Sequence, residues 1–343
     1  MSYEVIIDSV NESQWMQYAQ EFVDYSIYQT CAYQQVRGQM DGCQVHRLIV
    51  RAGDGEILTM CHIRIHRIRP LGLRIGYGQW GPLLHRKSGA VGCPAAMINV
   101  LRDACFGLGI DVLRLTPNVV DNVASKELSD ALKESGFEKL PEEPPYHTTL
   151  VPLDCPEAEL RKRLHQSWRR MLNKAETAGV EIKEHTDHVS FEMLERFYAD
   201  LARKKGLKGV DPNVFERAQQ ILPESEKMCL IVGFLDHEPV TVHVTSNLGD
   251  TGIFLLSASS ESGYECRASY LAWWRAMVCS SCMGMKNYDT GGIDSEKAPD
   301  IARFKTGVGG QEISYIGTFE AYADRRTSII WKVSKRLYGL VRW

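Results

Sequence analysis

Two triplets of apolar runs in this chain are joined by turns too short to be anything but hairpins. The runs VHRLIVRA (45–52) and EILTMCHIRIHRI (56–68) are separated only by Gly53-Asp54-Gly55, and Pro70-Leu71-Gly72 separates the second run from LRIGYGQWGP (73–82). In the second half, CLIVGFL (229–235) turns through Asp236-His237-Glu238 into PVTVHVTSNL, and Gly249-Asp250 leads on to TGIFLLSAS (251–259). Parallel neighbours need a crossover of about a dozen residues or more. Each triplet is therefore an antiparallel meander, which excludes a Rossmann sheet.

The elements after each meander repeat as well. The first is followed by a helix over about 91–108, the strand VLRLT, a helix over 125–135 and the strand HTTLVPL. The second is followed by a helix over 267–283, the strand KNYD, a glycine-rich segment with a helix near 299–306, and the strand ISYIGTF. A chain of 343 residues exceeds what one core usually serves. The reading is an α/β protein in α+β layers: two tandem domains, 1–153 and 154–320, with mixed, mostly antiparallel sheets flanked by helices. A C-terminal helix, 321–343, packs back on the first domain.

A meander followed by helix, strand, helix and strand is the layout of the GNAT-type N-acyltransferases. Those enzymes hold coenzyme A pyrophosphate on backbone N–H groups at a helix N-terminus. The corresponding loop of the second half, SSESGYECRASY, does not match their pattern, and Arg86-Lys-Ser-Gly89-Ala-Val91-Gly92 in the first half is a near miss.

Composition narrows the partners. A net charge of −3 gives no global field for nucleic acid, so an anion site must come from local clusters. The N-terminal MSYEVIIDSVNESQ has no charged-then-apolar leader pattern, and ten scattered cysteines suit a reducing compartment, so a cytoplasmic protein is expected. Cys279-Ser-Ser-Cys282 lacks a second pair or a nearby histidine and reads as core thiols on a helix. The apolar segment Tyr270–Met285 is too short to span a bilayer and contains Arg275.

Three basic clusters stand out. Residues 155–179 read as one helix, capped by Asp154, with Leu160, Leu164, Trp168, Met171 and Ala175 as its apolar stripe. Between Arg161 and Lys174 it carries six Lys/Arg and no acid, a purity of sign that suits a polyanion. Arg203-Lys-Lys-Gly-Leu-Lys208 follows a helix over 191–202 and could grip a phosphate. The tail SIIWKVSKRLYGLVRW is basic and amphipathic, of a kind that can rest on anionic lipid at the inner membrane face.

Several segments together resemble the FemABX-type aminoacyl-tRNA-dependent transferases, which build peptidoglycan side branches. They are Gln29-Thr-Cys-Ala-Tyr33…Val36-Arg37, Tyr77-Gly-Gln-Trp-Gly81-Pro82, Trp168-Arg-Arg-Met-Leu-Asn-Lys174-Ala175…Gly179-Val180, Tyr288-Asp289…Gly292, and Phe304-Lys305-x-Gly-Val-Gly-Gly310. The last is the most specific, and the resemblance runs along nearly the whole chain. Gln79, Trp80, Val308 and Arg37 depart from the family's usual residues.

The resemblance implies two GNAT-like domains and attack of an amine on the aminoacyl ester of a charged tRNA, with no cofactor and no metal. The partners it implies are aminoacyl-tRNA and a diphosphate-linked peptide or amine acceptor. It places Lys305, Asp289 and Phe304 at the reaction: Lys305 as cation, Asp289 as carboxylate near the amine, and Phe304 as a stacking face for a terminal base, worth about 1–3 kcal/mol. Arg37, Tyr77, Lys204 and Lys205 would bind the acceptor, and Arg169, Arg170 and Lys174 the tRNA. Read from the residues alone, Asp289 equally suits a turn acid capping Gly291-Gly292, and Phe304–Lys305 a helix pair with Phe304 in the core and Lys305 in solvent. His62, His66, His85, His147, His237 and His243 form no ligand spacing, and no Ser-His-Asp or Cys-His arrangement is present. The alternatives are an acyl-thioester-dependent GNAT enzyme and a non-catalytic polyanion- or lipid-binding protein.

Overall fold

The computed structural model describes residues 2–89, 93–186, 189–205 and 211–338. Its strands are β1 (Tyr3–Ile7), β2 (Gln44–Ala52), β3 (Ile57–Ile68), β4 (Leu73–Gln79), β5 (Val112–Thr116), β6 (Glu138–Lys139) and β7 (His147–Pro152), then β8 (Glu181–His185), β9 (Cys229–Leu235), β10 (Glu238–Leu248), β11 (Thr251–Ser259), β12 (Asn287–Asp289), β13 (Gln311–Ser314) and β14 (Phe319–Tyr322). They form two seven-stranded sheets, ordered β1-β2-β3-β4-β5-β14-β6 and β13-β7-β12-β11-β10-β9-β8.

Both meanders form. β2, β3 and β4 pair antiparallel, as do β9, β10 and β11. The turn between β9 and β10 needs only Asp236 and His237, both at positive φ, 52° and 68°. Two central residues of that hand match the natural twist of the strands they join. Each meander then reaches a parallel neighbour through a crossover helix. Pro94–Gly107 connects β4 to β5, and Ala268–Cys282 connects β11 to β12. The apolar run around Trp273 and Trp274 is this second helix, buried in a core with Trp168, Leu172 and Tyr288. Among the described residues, no helix is long and apolar enough to cross a membrane.

The sixth position of each sheet is filled from the far side of the chain. The strand HTTLVPL, expected to close the first domain, is β7, and it pairs antiparallel with β12 in the second sheet. The single strand expected over ISYIGTF is two strands broken at Gly317, whose φ is 90°. β13 joins the second sheet, and β14 pairs with β5 and β6 in the first. The compact units are therefore residues 1–145 with 314–343, and residues 146–313.

The helix expected over 155–179 is also two, Glu157–Arg163 and Gln166–Thr177. Leu164 and His165 adopt extended ψ of 138° and 147°, and Pro156, not Asp154, occupies the N-cap, without a side-chain bond. The break frees the His165 N–H to bond the Gly307 carbonyl at 2.9 Å. The apolar stripe shifts with it, so that Leu172 is buried in the place expected for Met171.

One buried carboxylate ties the chain's end into the first unit. Glu320 of β14 has no exposed surface and accepts from Arg114 Nε at 2.9 Å, Lys335 Nζ at 3.1 Å and Trp331 Nε1 at 3.2 Å. Lys335 and Trp331 lie on the helix Arg325–Tyr338, and Trp331 packs against Leu73, Ile75 and Val112. The tail helix thus buries one face in the first unit, while Ile329 and Val333 on its other side stay exposed. Trp331 is in the core, Lys332 pairs with Glu138 at 2.6 Å, and Lys335 with Glu142 at 3.0 Å. Residues 339–343 of that tail lie outside the described residues.

Burial pushes the Glu320 carboxyl up, but Arg114 and Lys335 overcome it and hold the group below its ordinary value. A depressed carboxylate contributes stability above the unfolded-state value and loses it as pH falls through the folded-state value. Glu320→Gln should therefore flatten the acid limb of the stability profile, read by urea unfolding between pH 3 and 6. Glu320→Ala, which removes the buried carboxylate that Arg114 and Lys335 share and leaves them only Glu143 and Glu142, should cost about 3–5 kcal/mol at neutral pH.

Candidate functional site

The resemblance points to the segment after β12, and here Lys305 and Asp289 meet around one turn. β12 ends at Asp289, whose carboxylate is fully buried. Its Oδ1 accepts from Thr148 Oγ1 at 2.5 Å, from the Gly291 N–H at 2.8 Å and from Tyr146 Oη at 3.1 Å. Burial raises the carboxyl above its ordinary value, against these bonds and the Lys305 charge. Asp289 thus caps the Thr290-Gly291-Gly292 turn. That geometry suits a residue that positions the turn, the reading the residues alone offered beside a carboxylate near the amine.

The turn in turn places Lys305, in the last turn of the helix Pro299–Thr306. Lys305 Nζ donates to the Gly292 carbonyl at 2.8 Å and lies 4.9 Å over the Phe254 ring. The residue is 6% exposed, but Gly292, where the ammonium ends, is at the surface. Desolvation brings Lys305 down to about 8, with Asp289 acting in the opposite sense. An ammonium has three donors. The carbonyl and the ring face engage two of them, and among the described residues the third has no partner. Gly291 makes the approach possible: its φ is 80°, and a Cβ there would stand 2.6 Å from Phe254 and 3.1 Å from Lys305 Nζ.

Phe254 is aimed by a β-bulge. The register of β10 against β11 slips between Val244 and Thr245, so that Phe254 pairs with Thr245 and Leu256 with Val244. Such a slip re-aims side chains. Behind Phe254, His243 lies 5.1 Å from the rings of both Phe254 and Trp273, and its Nε2 is 2.7 Å from the Tyr288 hydroxyl. Burial, helped by the Lys305 charge, lowers His243 to about 3, so it is a neutral core residue.

Phe304 is not a free stacking face. Its ring packs edge-on against Tyr270 at 4.8 Å and Trp273 at 5.1 Å, and tilted on Trp168 at 5.8 Å. Trp168 Nε1 also donates to the Phe304 carbonyl at 3.1 Å. Phe304 therefore anchors the lysine helix to the core and to the basic helix Gln166–Thr177. The glycines after Lys305 serve the same docking. Gly309 has φ 81°, and a Cβ there would meet the Arg163 carbonyl at a distance no real contact allows. The close approach that the glycine cluster permits is one by the chain's own backbone.

Of the six cations between Arg161 and Lys174, Arg161 pairs with Glu176 at 2.6 Å and Lys162 with Glu159 at 2.6 Å. Arg169, Arg170 and Lys174 have no ion pair among the described residues, and Arg170 and Lys174 are exposed. Lys204 and Lys205 end the helix Val189–Lys205, and their side chains lie outside the described residues, as does Lys208. Residues 90–92 of the near-miss coenzyme A loop also lie outside them.

In the first unit, Arg37 and Tyr77 fall around a residue that the sequence did not single out. Arg64 of β3 is 2% exposed and, among the described residues, bonds only neutral side chains, Gln34 Oε1 and Gln79 Oε1, each at 2.9 Å. Its guanidinium carbon lies 5.3 Å over the Tyr77 ring. Arg37 pairs with Asp41 at 2.9 Å. Burial raises the Tyr33 phenol, and Arg64 and Arg37 both pull against it, which places the two cations in one electrostatic neighbourhood. A buried guanidinium without a carboxylate favours an incoming anion. The strand alternation around Arg64 reads as an outward face, so only the paired glutamines, distant in sequence, reveal it.

No family model matches the chain, and no curated protein matches it in sequence. Solved structures do match in fold. FemX superposes with a TM-score of 0.82 at 14% identity, covering 97% of this chain and 99% of FemX. The C-terminal domain of a putative lysylphosphatidylglycerol synthetase from Agrobacterium fabrum gives 0.53 at 10% identity, with 97% and 99% covered. L-PGS from Bacillus licheniformis gives 0.53 at 12% identity, with 96% and 97% covered. The chain thus has the tandem GNAT-like fold of FemX along its length.

Two outcomes are expected of the lysine turn. Gly291→Ala should lose about 1–3 kcal/mol in denaturant unfolding, because it adds both backbone strain and a clash. Because Lys305 titrates lower folded than unfolded, the unfolded chain binds the extra proton between about 8 and the ordinary 10.5. Stability from this group rises with pH across that window. Lys305→Met should abolish that rise without lowering stability at pH 7.

Proposed function

We propose that this chain is an aminoacyltransferase that moves an amino acid from the 3′ ester of aminoacyl-tRNA to an amine on a peptidoglycan precursor or similar phosphate-bearing acceptor. The observation that carries this reading is the desolvated Lys305 ammonium, held by the Gly292 carbonyl at the surface with no other hydrogen-bond partner among the described residues, in a chain with the FemX fold. The matched sequence segments, of which Phe304-Lys305-x-Gly-Val-Gly-Gly310 is the most specific, support it.

In this reaction the acceptor amine attacks the ester carbonyl. The C–N bond forms, the ester C–O bond breaks, and the proton lost by the amine ends on the released ribose oxygen. An ordinary amine near pKa 10 must first be neutralised, about 4 kcal/mol at pH 7. Asp289 is sealed in its turn, so the proton passes to the substrate, through the acceptor phosphate or the leaving oxygen. Lys305 supplies its unengaged N–H to the oxyanion that develops at the carbonyl, where a fixed donor in a dry site acts far more strongly than in water. Arg169, Arg170 and Lys174 provide the phosphate contacts for tRNA, in a helix that Trp168 fastens to the lysine helix. Arg37 and Tyr77, near the buried Arg64, hold the acceptor's diphosphate; Lys204 and Lys205 are kept as acceptor-binding residues on the resemblance alone.

The decisive assay follows aminoacyl transfer by mass spectrometry, using charged tRNAs and diphosphate-linked peptide acceptors. RNase pretreatment should abolish transfer; activity that survives it, or that instead requires an acyl thioester, sinks the tRNA reading. Lys305→Met should lower kcat by about 10²–10³-fold, the usual loss of one oxyanion donor, while the fold stays intact. Arg37→Ala should act mainly on the acceptor KM. Removing Arg169, Arg170 and Lys174 together should reduce the slope of log affinity against log salt by about 2, on the scale of counterion release from single-stranded to duplex nucleic acid.

A further inference from the structure

We propose that Cys229, Cys279 and Glu184 form a binding site for a thiophilic divalent cation of the zinc class. The three come from separate elements of the second unit: Glu184 from β8, Cys229 from the start of β9, and Cys279 from the last turns of the helix Ala268–Cys282. One ligand atom from each lies within 4.8 Å of the others. The two sulfurs are 3.8 Å apart. Two thiolates each about 2.3 Å from a tetrahedral zinc stand roughly 3.8 Å apart, so the pair is already spaced for a shared ion.

Charge also fits. Two thiolates and a carboxylate against a divalent ion leave one negative charge, and Arg275 Nη2, 3.4 Å from Glu184 Oε1, offsets it. Glu184 and Arg275 are well exposed and Cys279 is half-buried, which gives the ion a path from solvent and leaves a fourth position for water. Binding replaces the two thiol protons, which leave to solvent, so affinity rises with pH. The proximity of Cys229 and Cys279 also answers a sequence reading. The Cys279-Ser-Ser-Cys282 spacing suggested core thiols, but Cys282 is exposed and Cys279's partner comes from a strand fifty residues earlier.

A second group of ligand types in the first unit, Asp41, Cys43 and His66, does not carry the same argument. It has one thiol rather than two, and the charges of both Arg64 and Arg37 act on Cys43 and on His66, so a cation is repelled there.

The site would clamp the end of the crossover helix to the edge of the second sheet. The test uses the full chain, reduced and kept anaerobic, equilibrated with Zn²⁺ or Cd²⁺ and freed of excess by gel filtration. Elemental analysis should find one ion per chain, Cd²⁺ should produce a thiolate charge-transfer band in the ultraviolet, and zinc should protect two of the ten cysteines from alkylation in peptide mapping, Cys229 and Cys279. Cys279→Ser should abolish retention, Glu184→Gln should weaken it at least tenfold, and Cys93→Ser should leave it unchanged. Wild-type mapping reads the site even where a cysteine variant fails to fold. Absence of retained metal, protection of other cysteines, or a Cys229–Cys279 disulfide that forms in air while zinc is ignored would each overturn the proposal.

Discussion

The burial of Asp289 is the constraint from which the second unit's site follows. A carboxylate with no exposed surface needs local donors, and Thr148, Tyr146 and the Gly291 N–H all converge on its Oδ1. Those bonds fix the turn after β12, the turn presents the Gly292 carbonyl, and that carbonyl holds Lys305. The lysine is thereby kept desolvated, its titration point brought down to about 8. Thr148 and Tyr146 belong to or adjoin β7, so the site is complete only because that strand enters the second sheet beside β12.

The first unit shows the complementary arrangement. Its sheet is completed by β14, which the chain reaches only after the second unit has been traversed, and Glu320 on that strand gathers Arg114, Lys335 and Trp331. Neither sheet closes with strands adjacent in sequence. A buried acid at each sixth-position neighbourhood, Glu320 in one sheet and Asp289 next to β7 in the other, makes the exchange specific, because misplacing either strand would leave a buried charge without partners.

Much of the fold was legible because its signals are local. Tight turns dictated the meanders, and the crossover helices followed from apolar stripes between strands. The site was legible only in part. Lys305 was marked by the glycines around it, but those glycines serve close packing against Arg163 and Leu150. The residues read Lys305 as solvent-facing, whereas Phe254 and the Gly292 carbonyl, both distant in sequence, hold it buried. Arg64 escaped notice because its meaning lies in what it lacks, a carboxylate, and no linear pattern records a missing partner.

The sequence by itself determined the hairpins, the two-fold repetition of elements and the cluster of chemistry-bearing residues after β12, because turn geometry and side-chain periodicity act over a few residues. Tertiary structure alone decided that β7 and β14 trade sheets, that the long basic helix breaks at Leu164, that Asp289 is a cap and that Cys279 faces Cys229. Each of these turns on where a buried polar or apolar group finds its partner across dozens of residues, and that choice is made only when the whole core closes.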